Sequence, residues 1–249
     1  FNDTATTEIY TKPSSAASDV YKRQIASRPF CLFISYSGNT EETVSVAKDA
    51  INQNLEWAAI SSGGELLELA TKYNKKFIKV PDGLQPRAAF GLMTKAVINF
   101  LPEQTKEVFI DACDEAGNYL NNLTEDDSSE VFEISKNIAS QIGSKTAVIY
   151  AGSELTYLVA QRWKTQINEN AKSKAYVGSM PEVHHNEILS WDADPASSKN
   201  DYVLIFLRDP EEHPQIKKRF ELTEKLLGDK VDIYNIETKT SDILLKLVI

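Results

Sequence analysis

The sequence predicts an α/β fold built from two similar units, each with helices packed on a parallel sheet. Short apolar segments typical of buried strands alternate with segments whose apolar residues recur at helical spacing. In both units the first such strand leads into a small polar turn and then a helix, at Ser35 and again at Gly152. Strands that alternate with helices indicate a parallel sheet with right-handed crossovers.

Composition and charge narrow the class of protein. The chain has 249 residues, 42% hydrophobic and 25% charged, as in a globular protein of one large or two modest domains. Its net charge is −9 and no basic patch stands out, so we expect no nucleic acid partner. Cys31 and Cys113 lie in apolar surroundings and suggest neither a disulfide framework nor a zinc site. With no apolar run of membrane-spanning length and no signal peptide, we expect a cytoplasmic protein without a membrane partner.

The first 24 residues do not fit the α/β pattern. Residues 1–13 lack sustained periodicity, and the string from Ser14 to Gln24 matches the translation of an adapter used in sequencing libraries. A plain polar linker is the alternative interpretation. We expect residues 1–24 to be a non-native or disordered leader, with the native protein resuming near Ile25 and its first sheet left with an exposed edge.

The first domain is predicted to cover residues 25–125. Its strands are expected at 30–34, 55–60 and 76–80, with helices after the first two strands and a third helix starting at Pro86. The third helix is predicted from apolar residues at helical spacing, namely Ala89, Met93, Val97 and Leu101.

The second domain is predicted to cover residues 126–249. Residues 105–142 read as amphipathic helix, and the polar, acidic stretch 122–129 marks the boundary between the domains. The expected elements that follow are strands at 146–150, 202–207 and 231–236, a helix that ends near Ile167, and a helix at 215–227. The last residues read as the inside of a helix, so we expect this domain to be C-terminally truncated.

The turn after the first strand, Ser35-Tyr36-Ser37-Gly38-Asn39-Thr40-Glu41-Glu42-Thr43, carries the strongest functional signal. A helix start offers unpaired backbone N–H groups and the positive end of the helix dipole, where phosphate groups bind. Three hydroxyls, with a glycine for close approach, make this start a good phosphate cradle. The alternative is that the turn only caps the helix, with Asn39 and Glu42 as a capping box.

Two strings in the second unit could carry acid–base chemistry. Asn168-Glu169-Asn170 follows a helix, and His184 and His185 form a pair. Taken alone, most such glutamates are solvated and most paired histidines are not catalytic. Together with a phosphate cradle they suit an aldose–ketose isomerase. A carboxylate would shuttle a proton through a cis-enediol, a histidine would open the sugar ring, and a cation such as Arg87 would offset negative charge.

Five strings in order, SYSGNTEET, SSGGEL, PRAAFG, RWKTQINENAK and HHNEI, resemble the bifunctional phosphoglucose/phosphomannose isomerase family. Members carry two sugar isomerase (SIS) domains. The resemblance implies two three-layer αβα domains with parallel sheets of flavodoxin-like topology, the first N-terminally incomplete. It also implies an enzyme that converts glucose 6-phosphate or mannose 6-phosphate and fructose 6-phosphate into one another, without cofactor or metal.

The resemblance further implies roles for six residues. Substrate phosphate would be bound by Ser35, Ser37 and Thr40, and the catalytic residues would be Glu169 as enediol base, His185 for ring opening and Arg87. His185 would reach the site across a homodimer interface. His184 is the weaker candidate, because the family histidine directly precedes Asn-Glu. A Gly-Gly-Ser loop and a C-terminal lysine of the family have no match here, since Lys246 lies too early.

Two other functions stay open at this point. A non-catalytic SIS module that senses a phosphosugar would need the hydroxyl turn but neither Glu169 nor His185. Another SIS enzyme, such as an aminosugar-phosphate isomerase or an etherase, is disfavoured by the NEN and HHNE strings.

Overall fold

The computed structural model describes residues 29–124 and 130–237. This part of the chain divides into two compact units, with the division between Ile110 and Asp111. The predicted leader, the predicted domain boundary at 125/126 and the predicted final helix with Lys246 all lie outside the described residues. Within the described ranges, no helix is long and apolar enough to cross a membrane.

The first unit contains a three-stranded parallel sheet of order β1-β2-β3. Its elements are β1 (Phe30–Ile34), α1 (Glu41–Asn52), β2 (Glu56–Ser61), α2 (Gly64–Lys72), β3 (Lys76–Lys79), a 3₁₀ turn (Pro86–Ala88) and α3 (Phe90–Ile98). Among the described residues β1 pairs only with β2, and Phe30 at its start is 44% exposed. Within the described residues β1 is therefore an edge strand, as β3 is on the other side.

Alternation along the strands explains how this sheet is covered on both faces. Phe33 and Trp57 point to one face and pack against α1 and α2 through Ala47 and Ala70. Ile60 points to the other face and packs with Ala96 of α3. The unit therefore has the predicted three layers, because successive strand residues face opposite sides of the sheet.

Helix α3 is shorter than the sequence analysis predicts. Pro86 starts a 3₁₀ turn, α3 itself begins at Phe90, and it ends at Ile98. Leu101, expected as the last apolar position of this helix, lies beyond the end. It is followed by Pro102, and the residue before a proline is disfavoured in helical conformation. The predicted helical region 105–142 is occupied by α4 (Glu103–Thr124) and α5 (Glu130–Ile142), on either side of residues 125–129.

The second unit contains a four-stranded parallel sheet of order β5-β4-β6-β7. Its elements after α5 are β4 (Thr146–Ala151), α6 (Glu154–Gln166), a π-helical turn (Ile167–Ala171), β5 (Ala175–Ser179), α7 (Val183–Asn186), α8 (Ser190–Ala193), α9 (Pro195–Asp201), β6 (Tyr202–Arg208), α10 (Pro214–Leu227) and β7 (Asp232–Glu237). The second strand of the unit lies outside the first, as in the order 2-1-3-4 of a flavodoxin-like sheet.

Both faces of this sheet are covered as well. Helices α5 and α6 pack on one face, with Ala160 against Ile149 and Ile205. On the other face Phe220 of α10 packs with Tyr150 and Phe206. The predicted fold class, two α/β units with parallel sheets in three layers, is therefore confirmed for the described residues.

Candidate functional site

The turn between β1 and α1 holds its hydroxyls in a compact arrangement. Ser35 is buried, and its Oγ lies 2.8 Å from Oγ1 of Thr40 and accepts a hydrogen bond from the Gly38 backbone N–H at 3.1 Å. The Oγ of Ser37 accepts from the backbone N–H of Asn39. The bond between Ser35 and Thr40 uses the proton of one of these two hydroxyls, and either can be its donor. The other hydroxyl of this pair and that of Ser37 keep a proton that can be donated to an anion.

The alternative in which the turn only caps α1 is wrong. The N-cap residue is Thr40, whose side chain makes no capping hydrogen bond. Asn39 points away from α1, because its Oδ1 accepts from the backbone N–H of Glu65 in α2 at 3.0 Å. The predicted capping box between Asn39 and Glu42 is therefore not formed. The start of α1 keeps its N–H groups without a side-chain cap from the turn.

The turn after β2, with the sequence Ser-Ser-Gly-Gly at 61–64, packs against the turn at 35–40, which we call the hydroxyl turn. Ser62 donates from its Oγ and its backbone N–H to the Tyr36 carbonyl oxygen, at 2.6 and 2.9 Å. A Cβ on Gly38 would overlap the Gly63 carbonyl oxygen, so only glycine permits this approach. Gly64 has φ +69°, and a Cβ on it would also overlap the Ser37 carbonyl oxygen.

Arg87 follows the carboxyl end of β3, at the same edge of the sheet as the hydroxyl turn at 35–40. It lies in the 3₁₀ turn, is half-buried, and its Nη1 lies 3.5 Å from Oε1 of Gln85. Tyr36 joins the segment after β3 to the hydroxyl turn by two hydrogen bonds. Its hydroxyl donates to the Pro81 carbonyl oxygen and accepts from the Leu84 backbone N–H. The structure thus groups Ser35, Ser37, Thr40 and Arg87 at the carboxyl edge of the first sheet.

The corresponding turn of the second unit is closed. Ser153 caps α6 by accepting from the Thr156 backbone N–H at 3.1 Å, and Thr156 Oγ1 accepts from the Ser153 N–H at 3.0 Å. A Cβ on Gly152 would overlap the side chains of Ile216 and Phe220. These side chains fill the space in front of the turn. Of the junctions after β1 and β4, only the one after β4 has its helix start capped by a side chain.

Glu169 lies in the π-helical turn that continues α6, rather than beyond the end of the helix as expected. Its side chain is exposed. The flanking amides hold the turn, because Asn168 donates to the Ser173 carbonyl at 2.8 Å and Asn170 to Gln166 Oε1 at 2.6 Å. Lys172 donates from Nζ to the Glu169 carbonyl oxygen at 2.6 Å. These bonds fix the direction in which Glu169 leaves the backbone, and π turns are frequent at functional sites.

The two histidines of α7 differ in their surroundings. The ring of His185 is exposed. The ring of His184 is half-buried, with Nε2 at 2.7 Å from Thr223 Oγ1 and Nδ1 at 3.1 Å from Arg219 Nη1. His184 is therefore held by α10, while His185 is the accessible imidazole of the pair.

Glu169 and His185 lie at opposite edges of the second sheet. The π-helical turn with Glu169 precedes β5, and α7 with His185 follows it. Strand β5 has five residues, which span roughly 16 Å at about 3.3 Å per residue. The structure does not bring these two side chains together within one unit.

Sequence reasoning missed the residues that hold the site in place. Tyr36, Ser61 and Ser62 act through contacts between segments some distance apart in sequence, which periodicity does not reveal. The double glycine of SSGGEL was the only available signal, since such pairs mark close backbone approach.

Comparison with known proteins identifies the relatives of this chain. Residues 133–249 match the family model for the bacterial phospho-glucose isomerase C-terminal SIS domain. The bifunctional phosphoglucose/phosphomannose isomerase of Aquifex aeolicus is 37% identical over 221 residues, which cover 88% of this chain and 65% of that protein. The D-glucosamine-6-phosphate 4-epimerase of Sulfolobus acidocaldarius is 32% identical over 173 residues, which cover 68% and 53%.

A solved structure supports the fold alone. The C-terminal domain of glucosamine-fructose-6-phosphate aminotransferase from Francisella tularensis aligns with a TM-score of 0.65 at 13% identity, covering 93% of this chain and 70% of that one. The chain spans 65%, or slightly less than two thirds, of the bifunctional phosphoglucose/phosphomannose isomerases of Aquifex aeolicus and Caldicellulosiruptor bescii. By these matches, the chain is similar over most of its length to the bifunctional phosphoglucose/phosphomannose isomerases, and its residues 133–249 match a bacterial phospho-glucose isomerase C-terminal SIS domain.

Proposed function

We propose that the protein is an aldose–ketose isomerase that interconverts glucose 6-phosphate or mannose 6-phosphate and fructose 6-phosphate. The observation that carries the proposal is the open hydroxyl turn at 35–40, whose helix start has no side-chain cap and which lies at the same sheet edge as Arg87. Similarity to bifunctional phosphoglucose/phosphomannose isomerases supports the assignment of the reaction. The closed turn at Ser153 supports a single phosphate position in the described part of the chain.

Phosphate would be bound by hydrogen bonds more than by nearby charge. Ser35, Ser37 and Thr40 would donate their hydroxyl protons once the bond between Ser35 and Thr40 is exchanged for bonds to phosphate. The first N–H groups of α1 would add the positive end of the helix dipole. Glu41 and Glu42 in the first turn of α1 are negative and oppose an anion there. Arg87 would supply the positive charge that offsets them.

The reaction itself would use Glu169 as the base. Its carboxylate would take the proton from C2 of the open-chain aldose, giving a cis-enediol, and would return it to C1 to give the ketose. The hydrogen-bonded π-helical turn would keep the carboxylate in place during both steps. Arg87 would also stabilise the negative oxygen of the enediolate.

His185 would open the sugar ring, and we propose that it does so in the site of a second protomer of a homodimer. The opposite positions of Glu169 and His185 on either side of β5 support this arrangement, because one unit presents them at different edges of its sheet. Each site would then contain Glu169 from one protomer and His185 from its partner.

We also propose that the enzyme works in the cytoplasm without a bound cofactor. Cys31 and Cys113 form no disulfide in the described part of the chain, which suits a reducing compartment. The proposed chemistry moves a proton and exchanges no electrons with a second molecule, so the side chains named above suffice for it.

The epimerase relative supports a second candidate function. The Sulfolobus acidocaldarius protein is named for an epimerisation at C4 of an aminosugar phosphate, and it is 32% identical to this chain over 173 residues. The two candidates differ in product. An isomerase forms fructose 6-phosphate from glucose 6-phosphate, whereas a 4-epimerase forms a C4 epimer from glucosamine 6-phosphate.

The deciding experiment is a product assay on the natural full-length protein. Glucose 6-phosphate, mannose 6-phosphate and glucosamine 6-phosphate are supplied separately, and fructose 6-phosphate is measured by a coupled enzyme while NMR detects C4 epimers. We expect fructose 6-phosphate from the first two substrates. Conversion of glucosamine 6-phosphate alone would favour the epimerase, and phosphosugar binding without any turnover would favour a sensor.

A further inference from the structure

His184 takes part in a hydrogen-bond network that joins α7 to α10. Its Nε2 lies 2.7 Å from Thr223 Oγ1, and its Nδ1 lies 3.1 Å from Arg219 Nη1. Thr223 is completely buried, and its hydroxyl donates to the Arg219 carbonyl oxygen at 2.8 Å. Both partners of the ring thus belong to one helix.

The donors in this network determine the tautomer of His184. An arginine guanidinium can only donate, so Nδ1 must accept and carries no proton. The proton is therefore on Nε2, which donates to Thr223. The network is complete only with a neutral ring, since a proton on Nδ1 would face the Arg219 donor.

The network holds the residue next to His185. Helix α7 has only four residues and cannot hold its own shape without tertiary contacts. Val183 anchors it in the core at 1% exposure, and Glu187 just beyond it accepts from the Tyr150 hydroxyl at 3.1 Å. His184 supplies the anchor toward α10. Anchors therefore lie on both sides of the exposed His185 ring in sequence.

We propose that His184 is a positioning residue, which acts through Thr223 and Arg219 to fix α7 so that the ring of His185 points in one direction. The proposal rests on the proposed function, in which His185 opens the sugar ring, and adds a residue to which that function gives no role. His184 does not touch the substrate. It acts only through the backbone that it shares with His185.

The surroundings of His184 keep it in the neutral form that the network requires. Burial, the Arg219 guanidinium and the neighbouring His185 ring lower the pKa of His184. Lys225 of α10 lines with His184 a cavity of about 430 Å³. The Arg219 guanidinium is positive and hydrogen-bonds to the ring, so it opposes protonation of His184.

The test is the pair Thr223→Val and Thr223→Ser, made in the natural full-length protein. Valine keeps the shape of threonine and removes the hydroxyl that accepts from His184, whereas serine keeps the hydroxyl. Two measurements are compared: kcat on cyclic glucose 6-phosphate, and inhibition by 5-phosphoarabinonate, an open-chain acid that needs no ring opening.

We expect Thr223→Val to lower kcat at least about 10-fold, because a small displacement of an acid–base group is costly. Inhibition by 5-phosphoarabinonate should stay within about 2-fold of the wild type, and Thr223→Ser should restore kcat. Loss of inhibition in proportion to kcat would indicate general structural damage and overturn the proposal, and so would an unchanged kcat in Thr223→Val. An inactive wild type would instead refute the proposed function, and this proposal with it.

Discussion

Gly38 lies so close to Gly63 that a Cβ on Gly38 would overlap the carbonyl oxygen of Gly63. Gly38 also has φ +71°, a conformation that other residues adopt only at a cost of about 1–2 kcal/mol. The turn at 35–40 and the turn after β2 can meet in this way only because Gly38 lacks a side chain, whereas a Cβ on Gly63 would meet no atom within 4 Å.

Gly38→Ala should therefore disrupt the hydroxyl turn at 35–40. We expect the free energy of unfolding to fall by more than the cost of the positive-φ conformation alone, because the new Cβ would overlap backbone atoms that cannot rotate away. We also expect KM for the phosphosugar to rise. Urea unfolding and steady-state kinetics check both effects. Gly143→Ala is the matched control, because Gly143 also has positive φ but its nearest atom would be 3.5 Å from the new Cβ. Gly143→Ala should lose only the free energy of unfolding that the positive-φ conformation costs, and its KM should not change. Equal losses of stability and equal KM values in the two variants would contradict the account.

Ser37→Ala and Thr40→Val test whether the hydroxyls bind phosphate. Each hydrogen bond to a charged group is worth about 1.5–3 kcal/mol, so each change should raise KM by at least about 10-fold. Ser153→Ala in the closed turn of the second unit is the control. It removes a helix cap worth about 1 kcal/mol and should reduce stability without changing KM. A normal KM in both Ser37→Ala and Thr40→Val would mean that the turn serves another purpose.

The stability of the protein should fall in acid partly because of His184. Its pKa in the folded protein is lowered from the ordinary 6.5, so between the two values the unfolded chain binds a proton that the folded protein does not. The contribution of the neutral His184 to stability is fully present above pH 6.5 and is lost as the pH falls through the pKa of His184 in the folded protein. Urea midpoints measured from about pH 8 to about pH 5 should show the decline. His184→Gln, which does not titrate, should show a shallower one, and parallel curves would exclude His184 as a source.

Mixing two inactive variants tests the shared site. In a heterodimer of Glu169→Gln and His185→Gln protomers, one site carries both changes and the other carries neither. Random exchange of protomers should therefore restore about one quarter of wild-type activity. If each site were built from a single protomer, the mixture would stay as inactive as its components.

The sequence was informative where regular structure and a local motif decide the outcome. The strands around Phe33, Ile149 and Ile205 are apolar and β-branched or aromatic, and their places were predicted to within a few residues. Strand β5 was not predicted, because Ala-Tyr-Val-Gly-Ser is short, contains glycine and is only partly buried. Its formation depends on pairing with β4, a contact that local propensity does not encode.

The candidate site was predictable in its residues and not in its supports. Ser35, Ser37 and Thr40 stand together in one string, so the sequence itself brings them to one turn. The support from Tyr36 and Ser62 joins segments 26 residues apart and depends on the folded sheet. The role of Asn39 was misread for the same reason, since its partner Glu65 is far along the chain.

Glu169→Gln is the measurement that tests the central claim most directly. Glutamine keeps the shape of the side chain and removes the base, so we expect kcat to fall by at least about 10²-fold with KM little changed. Exchange of the C2 proton of the sugar with solvent deuterium should disappear in parallel, while Glu154→Gln, an exposed change at the other end of α6, should leave both intact. Near-normal turnover and exchange in Glu169→Gln would contradict the assignment of Glu169 as the enediol base and favour a phosphosugar sensor.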